Sequence, residues 1–469
     1  MAVRHYGSDT KTLAAAGLSA SEAGAWEKAA PRKTGGFAAD RSKFSAYWQK
    51  SARLVAKLPA RAARDAREDI AARLIQGAAT EARLLFLRAH GDAVYDALTA
   101  KRSRFVRVEQ LVADAAKLVP GLVPTPKEIA AEENLRQSEK DGLEIAQGTL
   151  LSAWLGSERA GRHLCQAMLL PRQEAANLMP KFLKDDAVEL PGASIERRGK
   201  AAIVTYKNPR FLNAEDATTV DGMETCVDLA LLDARIEVGV LRGGAVEHPK
   251  YSGRRMFGAG INLTHLYHGR IPFLWYLVRD LGYVNKLYRG LAIEHDPPPD
   301  EFGGRSIEMP WIAALETFAI GGHCQVLLAV DYVLAERTAY MTLPARKEGI
   351  IPGAANMRMP RFVGDRITRQ AIQYERRLDC DSPEGRLICD EIVEPGQMDA
   401  AIDKVIAGLT SSGVVSAASN RRAIRIAQEP LDMFRQYFSV YAREQAFCHF
   451  SPALIANLEK YWNAQHRKP

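Results

Sequence analysis

The sequence predicts an α/β protein preceded by an all-helical block and followed by further helices. Three observations carry this. Between residues 191 and 400, strand-forming apolar runs alternate with helix-forming segments, the pattern of a βα-repeating core. From Ser42 to about Phe182, Ala, Leu and Ile recur at helical spacing among Arg and Asp. After about Met398 the helical pattern returns. The expected division is a helical domain over 1–190, an α/β core over 191–400 and a helical region over 401–469. A length of 469 residues suits one large domain or two.

Taken in order, residues 1 to about 40 are rich in Ala, Gly, Ser and Lys and predict a partly mobile lead-in. Helical spacing runs from Ser51 to Gly91, from Ala93 to Leu118 and from Gln137 to Leu170, with Pro120, Pro124 and Pro126 separating two blocks. Nothing in this region has a catalytic pattern, and Trp154, His163 and Met168 read as core or cap residues. Strands are expected in the stretch from Ala201 that precedes Asn208-Pro209, over Ile236–Gly243 and in the first half of Glu316–Gln325. The apolar, aromatic stretch from Asn262 to Leu291 reads as an irregular loop leading into a helix over a pocket. Glu294 to Arg305, with Pro297-Pro298-Pro299 and Gly303-Gly304, reads as an insertion or lid. The C-terminal part is rich in aromatics, among them Phe434, Tyr437, Phe438 and Tyr441.

Composition narrows the class. An apolar fraction of 47% and a charged fraction of 25% are those of an ordinary globular protein. The net charge of +7 is dispersed, with no Lys/Arg run interleaved with aromatics, which argues against nucleic acid and suits an anionic small molecule. The six cysteines contain no CxxC, which points to reduced thiols in the cytoplasm and to no zinc site. There is no apolar signal core near the N-terminus and no stretch long enough to span a membrane. His265 and His268 sit three apart but lack a third ligand, so no metal is expected.

The centre of the sequence is Glu316-Thr317-Phe318-Ala319-Ile320-Gly321-Gly322-His323-Cys324-Gln325, followed by an apolar helical run. A strand ends in a glycine pair, and a helix starts there with free N–H groups and the positive end of its dipole. The Lys-Ser/Thr ending of a P-loop is missing, so the turn suits an oxyanion better than a phosphate. Three other segments accompany it: Ala201 to Ala214 with Asn208-Pro209-Arg210-Phe211-Leu212-Asn213-Ala214, Arg254-Arg255-Met256-Phe257-Gly258-Ala259-Gly260-Ile261-Asn262-Leu263, and Leu343-Pro344-Ala345-Arg346-Lys347-Glu348-Gly349-Ile350-Ile351-Pro352-Gly353-Ala354. In this order, over roughly residues 190 to 400, they resemble the crotonase (enoyl-CoA hydratase/isomerase) superfamily.

That resemblance implies a crotonase-type ββα spiral core, with C-terminal helices that complete the core and make subunit contacts in a trimer or dimer of trimers. It implies an oxyanion hole made by the N–H groups of Ile261 and Gly322. The two glutamates that hydratases of the family use fall at Gln325 and Ala345. Neither residue can shuttle a proton, which argues against hydration. The finer motifs resemble the family's cofactor-independent dioxygenases of arylacetyl-CoA thioesters, whose context is the synthesis of antibiotic building blocks. Acyl-CoA and O2 are then the only small-molecule partners, and no metal or organic cofactor is implied. Glu215 matches a family acid that polarises a ring hydroxyl or moves a proton; an exposed acid at a helix N-terminus is the alternative. Arg279 is assigned to the substrate's ring oxygens or to a surface ion pair, and Gln325 to the substrate or its peroxide. Arg254 and Arg255 suit CoA phosphates, while Gly260, Leu263 and Ile320 line the substrate. Lys347 and Glu348 read as an ion pair. Thioester hydrolysis, decarboxylation and a non-catalytic CoA-binding subunit remain as alternatives.

Overall fold

The computed structural model describes residues 10–293 and 305–469. The expected lid over Glu294 to Arg305 lies outside the described residues except for Arg305. The chain divides into two compact units. One comprises residues 1–164, 267–274 and 438–455, and the other residues 165–266, 275–437 and 456–469.

The first unit is helical. Its longest helix, Ala66–Leu98, starts at a capping box in which Asp65 accepts from the N–H groups of Arg67 and Glu68, and Glu68 accepts from Asp65 N–H. Its apolar face packs on the helix Phe37–Val55 through Phe44, Trp48 and Phe86, all buried. Trp48 and Trp154 each place the indole N–H on a backbone carbonyl of the long helix, Ala79 and Gly91. His163 lies face to face with Phe105, and its Nδ1 shares a hydrogen bond of 2.8 Å with the Tyr95 hydroxyl. The helical pattern expected across Ala93 to Leu118 is interrupted at residues 99–107. There Thr99 Oγ1 bonds Tyr95 O and accepts from Arg102 N–H, and Ala100, Lys101 and Arg102 adopt positive φ. Short helices occupy Thr10–Ala15 and Ala20–Lys28, where composition predicted a mobile lead-in.

Among the described residues the second unit has twelve short strands: β1 (Ala187–Leu190), β2 (Ala193–Arg198), β3 (Ala201–Tyr206), β4 (Val238–Gly243), β5 (Leu291–Ala292), β6 (Ser306–Ile307), β7 (Trp311–Leu315), β8 (Phe318–Ile320), β9 (Tyr332–Glu336), β10 (Tyr340–Thr342), β11 (Leu378–Asp379) and β12 (Glu391–Val393). The main sheet runs β1-β2-β3-β4-β7-β9-β12, parallel from β3 onwards and antiparallel at the β1–β2–β3 end. The central parallel strands are mostly apolar, as strands covered on both faces are, and the buried Arg242 of β4 is paired with Glu316. Ile203, Val240, Ile312 and Leu334 bury one face against Met398, Ala401 and Ile402 of the helix Met398–Thr410. Gly239 leaves room for the Trp311 ring; a methyl group there would fall 2.3 Å from it. A second, small sheet, β11-β10-β8, sets β8 parallel to β10 and ends at the central glycine turn.

Candidate active site

The segment Phe257–Leu263 runs along β8. Phe257 N–H bonds Glu316 O, Gly258 N–H bonds Phe318 O, and Ile320 N–H returns to Gly258 O at 3.0 Å. Further on, Glu215 forms a parallel bridge with Ile261: its N–H bonds Gly260 O and its carbonyl accepts from Asn262 N–H, both at 2.7 Å. These bonds take up the groups flanking Ile261 and turn the N–H of Ile261 itself away from Glu215. Gly322 opens the helix Gly322–Leu327, so its N–H is one of those a helix start leaves unpaired. Gly260, at φ +78°, is what brings the two segments together. A methyl group on it would lie 3.2 Å from Gly322 N and 2.7 Å from Ile320 O. Among the described residues neither the Ile261 nor the Gly322 N–H is given to another group. Two backbone donors thus stand side by side at a helix N-terminus, an arrangement suited to developing negative charge on a carbonyl oxygen.

Buried groups fix that arrangement from behind. His323 accepts the Gly260 N–H on Nδ1 at 3.0 Å, which places its proton on Nε2. Tyr206 and Phe257 face its ring edge-on, and burial lowers its pKa to about 4, so it stays a neutral acceptor. Glu215 is 1% exposed, not an exposed helix acid. Its Oε2 accepts from Arg279 Nε at 2.8 Å and its Oε1 from the Tyr283 hydroxyl. Burial works to raise this carboxyl, but Arg279 and the Tyr283 bond hold it below the usual carboxylate range. Arg279 is buried as well. Its Nη1 donates to Asp280 Oδ1 at 2.8 Å and its Nη2 to Gly322 O at 2.9 Å. The surface ion pair that was the alternative for Arg279 is not what forms: its ion pairs with Glu215 and Asp280 are buried. The guanidinium is taken up by Glu215, Asp280 and the Gly322 carbonyl, because a buried fork needs all its partners inside. Glu215 therefore ties both donors together, through its backbone to the Ile261 segment and through Arg279 to Gly322.

The other expected residues separate into two groups. Gln325 is buried beside the turn; its Oε1 accepts from Ala354 N–H at 3.1 Å. Ile261 is buried, whereas Leu263 and Ile320 are half-buried, Ile320 packing on Met256 and Phe318. Arg254 and Arg255 are exposed. Arg254 Nη2 stands 3.9 Å from Glu336, and Arg255 Nη1 donates to Gly243 O at 3.3 Å. His265 Nδ1 lies 3.1 Å from Asp216 Oδ2. Among the described residues no three His, Cys, Asp or Glu side chains converge on one point.

One side chain was misread in the sequence. Lys347 pairs with Glu375 at 2.5 Å, as does Arg346 at 3.0 Å, and not with Glu348. Glu348 is only 6% exposed, and burial, reinforced by Glu375, pushes its pKa up to about 7. A methyl group on Gly321 would lie 3.7 Å from Glu348 Oε1 and equally far from Gly260 Cα, so this carboxylate flanks the oxyanion turn. The only available sequence signal was spacing. Glu348 stands three residues after Ala345 in the short helix Ala345–Glu348, hence on the same side.

The paired donors, the sheet and the order of segments define a member of the enoyl-CoA hydratase/isomerase family, and the chain belongs to that family, the crotonase superfamily. The family model for enoyl-CoA hydratase/isomerase matches residues 305–439. Among curated relatives, the (3,5-dihydroxyphenyl)acetyl-CoA 1,2-dioxygenase of Amycolatopsis orientalis is 46% identical over 378 residues, covering 80% of this chain and 85% of that protein. A short-chain-enoyl-CoA hydratase of Clostridium acetobutylicum is 25% identical over 239 residues, 50% of this chain and 82% of its own length. Among solved structures, an enoyl-CoA hydratase from Mycobacterium avium subsp. paratuberculosis is 21% identical with a TM-score of 0.47, covering 58% of this chain and 98% of that one.

Proposed function

We propose that the protein is a dioxygenase that converts (3,5-dihydroxyphenyl)acetyl-CoA, or a closely related arylacetyl-CoA, with O2 into an arylglyoxylate and free CoA, using neither metal nor organic cofactor. The observation that carries this reading is the pair of unshared N–H groups on Ile261 and Gly322, present in a chain whose relative at 46% identity bears that activity. The thioester oxygen accepts from both donors, and removal of an α-proton gives an enolate whose charge is shared by that oxygen and the aryl ring. The carbanion transfers one electron to O2 and combines with the resulting superoxide. The peroxide attacks the thioester carbonyl and expels CoA thiolate. Cleavage of the O–O bond with loss of the second α-proton leaves the keto acid, so both oxygen atoms end in the product.

The chain's own residues have separate roles in this scheme. Ile261, Leu263 and Ile320 keep water from the carbanion. The amide of Gln325 donates to the substrate or its peroxide. Glu215 and Arg279 are positioning residues that hold the two donors in register. Gly260 allows the close approach, and Arg254 and Arg255 meet the CoA phosphates. A homo-oligomer, a trimer or dimer of trimers, and a cytoplasmic location complete the reading. Among the described residues no helix is long and apolar enough to cross a membrane.

The test is oxygen consumption by chelator-treated protein supplied with (3,5-dihydroxyphenyl)acetyl-CoA, with free thiol followed in parallel. Uptake and thiol release in equal amounts, unchanged by the chelator, are expected. Thiol release without oxygen uptake would make the protein a hydrolase, and binding with neither signal would make it a CoA-binding subunit.

A further inference from the structure

Enolate formation needs a base, and the residues expected from sequence are poorly suited to that task. Glu215 is held ionised by Arg279 and hydrogen-bonded by Tyr283, so it has little tendency to take a proton. Gln325 has no basic atom. His323 has Nδ1 occupied by Gly260 N–H, and its free position carries the proton.

From its position beside the turn we infer that Glu348 is the general base that removes the α-proton of the bound thioester. This assignment rests on the dioxygenase reading for its substrate. Three observations support it. The carboxylate flanks Gly321, next to the Gly322 N–H that holds the thioester oxygen, and the α-carbon is two bonds from that oxygen. Every other buried carboxylate among the described residues meets a cation or an N–H donor: Asp40 meets His90, Glu144 the Phe273 N–H, Glu215 and Asp280 Arg279, Asp216 His265, Glu224 and Asp228 Lys286, Asp233 Arg235, and Glu429 Arg358. Glu348 alone meets neither. A buried carboxyl with no fixed partner and a pKa near neutrality is suited to accept a proton and release it again. Finally, Glu348 sits one helical turn from Ala345, on the same side, so a carboxylate reaches the site although the expected position is an alanine.

The step balances simply. A Glu348 oxygen forms a bond to the α-hydrogen, the C–H pair moves into the enolate, and the enolate oxygen is held by the two N–H groups. The charges that bear on Glu348 are few. Glu375, at the end of the helix Pro360–Tyr374, raises its pKa and is itself paired with Arg346 and Lys347; the Gly321–Gly322 turn and Ala345 bring no charge.

The experiment uses the full chain without oxygen in D2O and follows exchange of the α-hydrogens of (3,5-dihydroxyphenyl)acetyl-CoA by NMR, with the affinity for CoA as a control for folding. Glu348→Gln is expected to slow exchange about 100-fold or more while affinity holds, and Glu348→Asp to recover part of the rate. In the wild type the rate should rise with pH through about 7, and Glu375→Gln should move that midpoint down. Exchange by Glu348→Gln within threefold of wild type, or no exchange by the wild type, overturns the assignment. Oxygen uptake by the wild type, measured in parallel, judges the dioxygenase reading independently. Exchange without uptake would sink that reading and leave Glu348 as a base.

Discussion

His323 shows how a single residue can serve a site without touching its chemistry. Its Nδ1 is the acceptor for Gly260 N–H, and a backbone N–H buried without an acceptor costs about 1–3 kcal/mol. Because burial keeps the imidazole neutral, the acceptor persists down to about pH 4. Replacement by a residue of similar shape and no acceptor separates packing from hydrogen bonding. His323→Phe is expected to lower stability by about 1–3 kcal/mol in urea titrations and to lower kcat more than it raises KM, since the Ile261 donor moves while the CoA contacts stay. A variant with full kcat would show that the Gly260 bond does not hold the donor in place.

At the scale of elements, the site depends on two segments pressed together more closely than side chains allow. Gly258 faces the His323 ring, and a methyl group there would fall 2.3 Å from it. The ring cannot retreat, because Tyr206 and Phe257 enclose it. Gly258→Ala is therefore expected to cost about 1–3 kcal/mol as overpacking and to reduce turnover, read as a drop in melting temperature together with slower oxygen uptake. Unchanged melting would mean that the segment yields. Most of this element-level arrangement was legible beforehand. Parallel strands covered on both faces read as largely apolar runs, so the strands now seen at Ala201–Tyr206, Val238–Gly243 and Phe318–Ile320 stood out, and the glycines marked the turns. What could not be read was tertiary pairing. Lys347 and Glu348 are sequence neighbours of opposite charge, yet Lys347 reaches Glu375 from a different helix and leaves Glu348 alone. A surface ion pair was open for Arg279 because nothing local revealed that Glu215, Asp280 and the Gly322 carbonyl would all converge on it inside the protein. The break at residues 99–107 was hidden because a threonine cap has no stronger signature than a threonine in a helix.

At the scale of the molecule, the other buried carboxylates among the described residues each meet a cation or an N–H donor, and Glu348 departs from that rule. Burying an ion costs stability unless a partner offsets it. Lys286 lies between Glu224 and Asp228, and Glu429 among Arg289, Arg358 and Arg361, so removing one member of those sets should destabilise. For Glu348 the sign reverses. Its folded pKa of about 7 lies above the ordinary glutamate value, so the folded state favours the protonated form. The stability contributed by that proton is fully present below about pH 4.5 and is lost as pH rises through about 7. Glu348→Gln keeps the shape and never ionises. It is therefore expected to match the wild type near pH 5 and to exceed it at pH 8 by about 2–3 kcal/mol, the equivalent of roughly two pKa units, in urea unfolding at the two pH values. The same variant is expected to lose α-proton exchange. A gain in stability coupled to a loss of chemistry marks a residue kept for function, whereas destabilisation at pH 8 would place Glu348 among the structural charges.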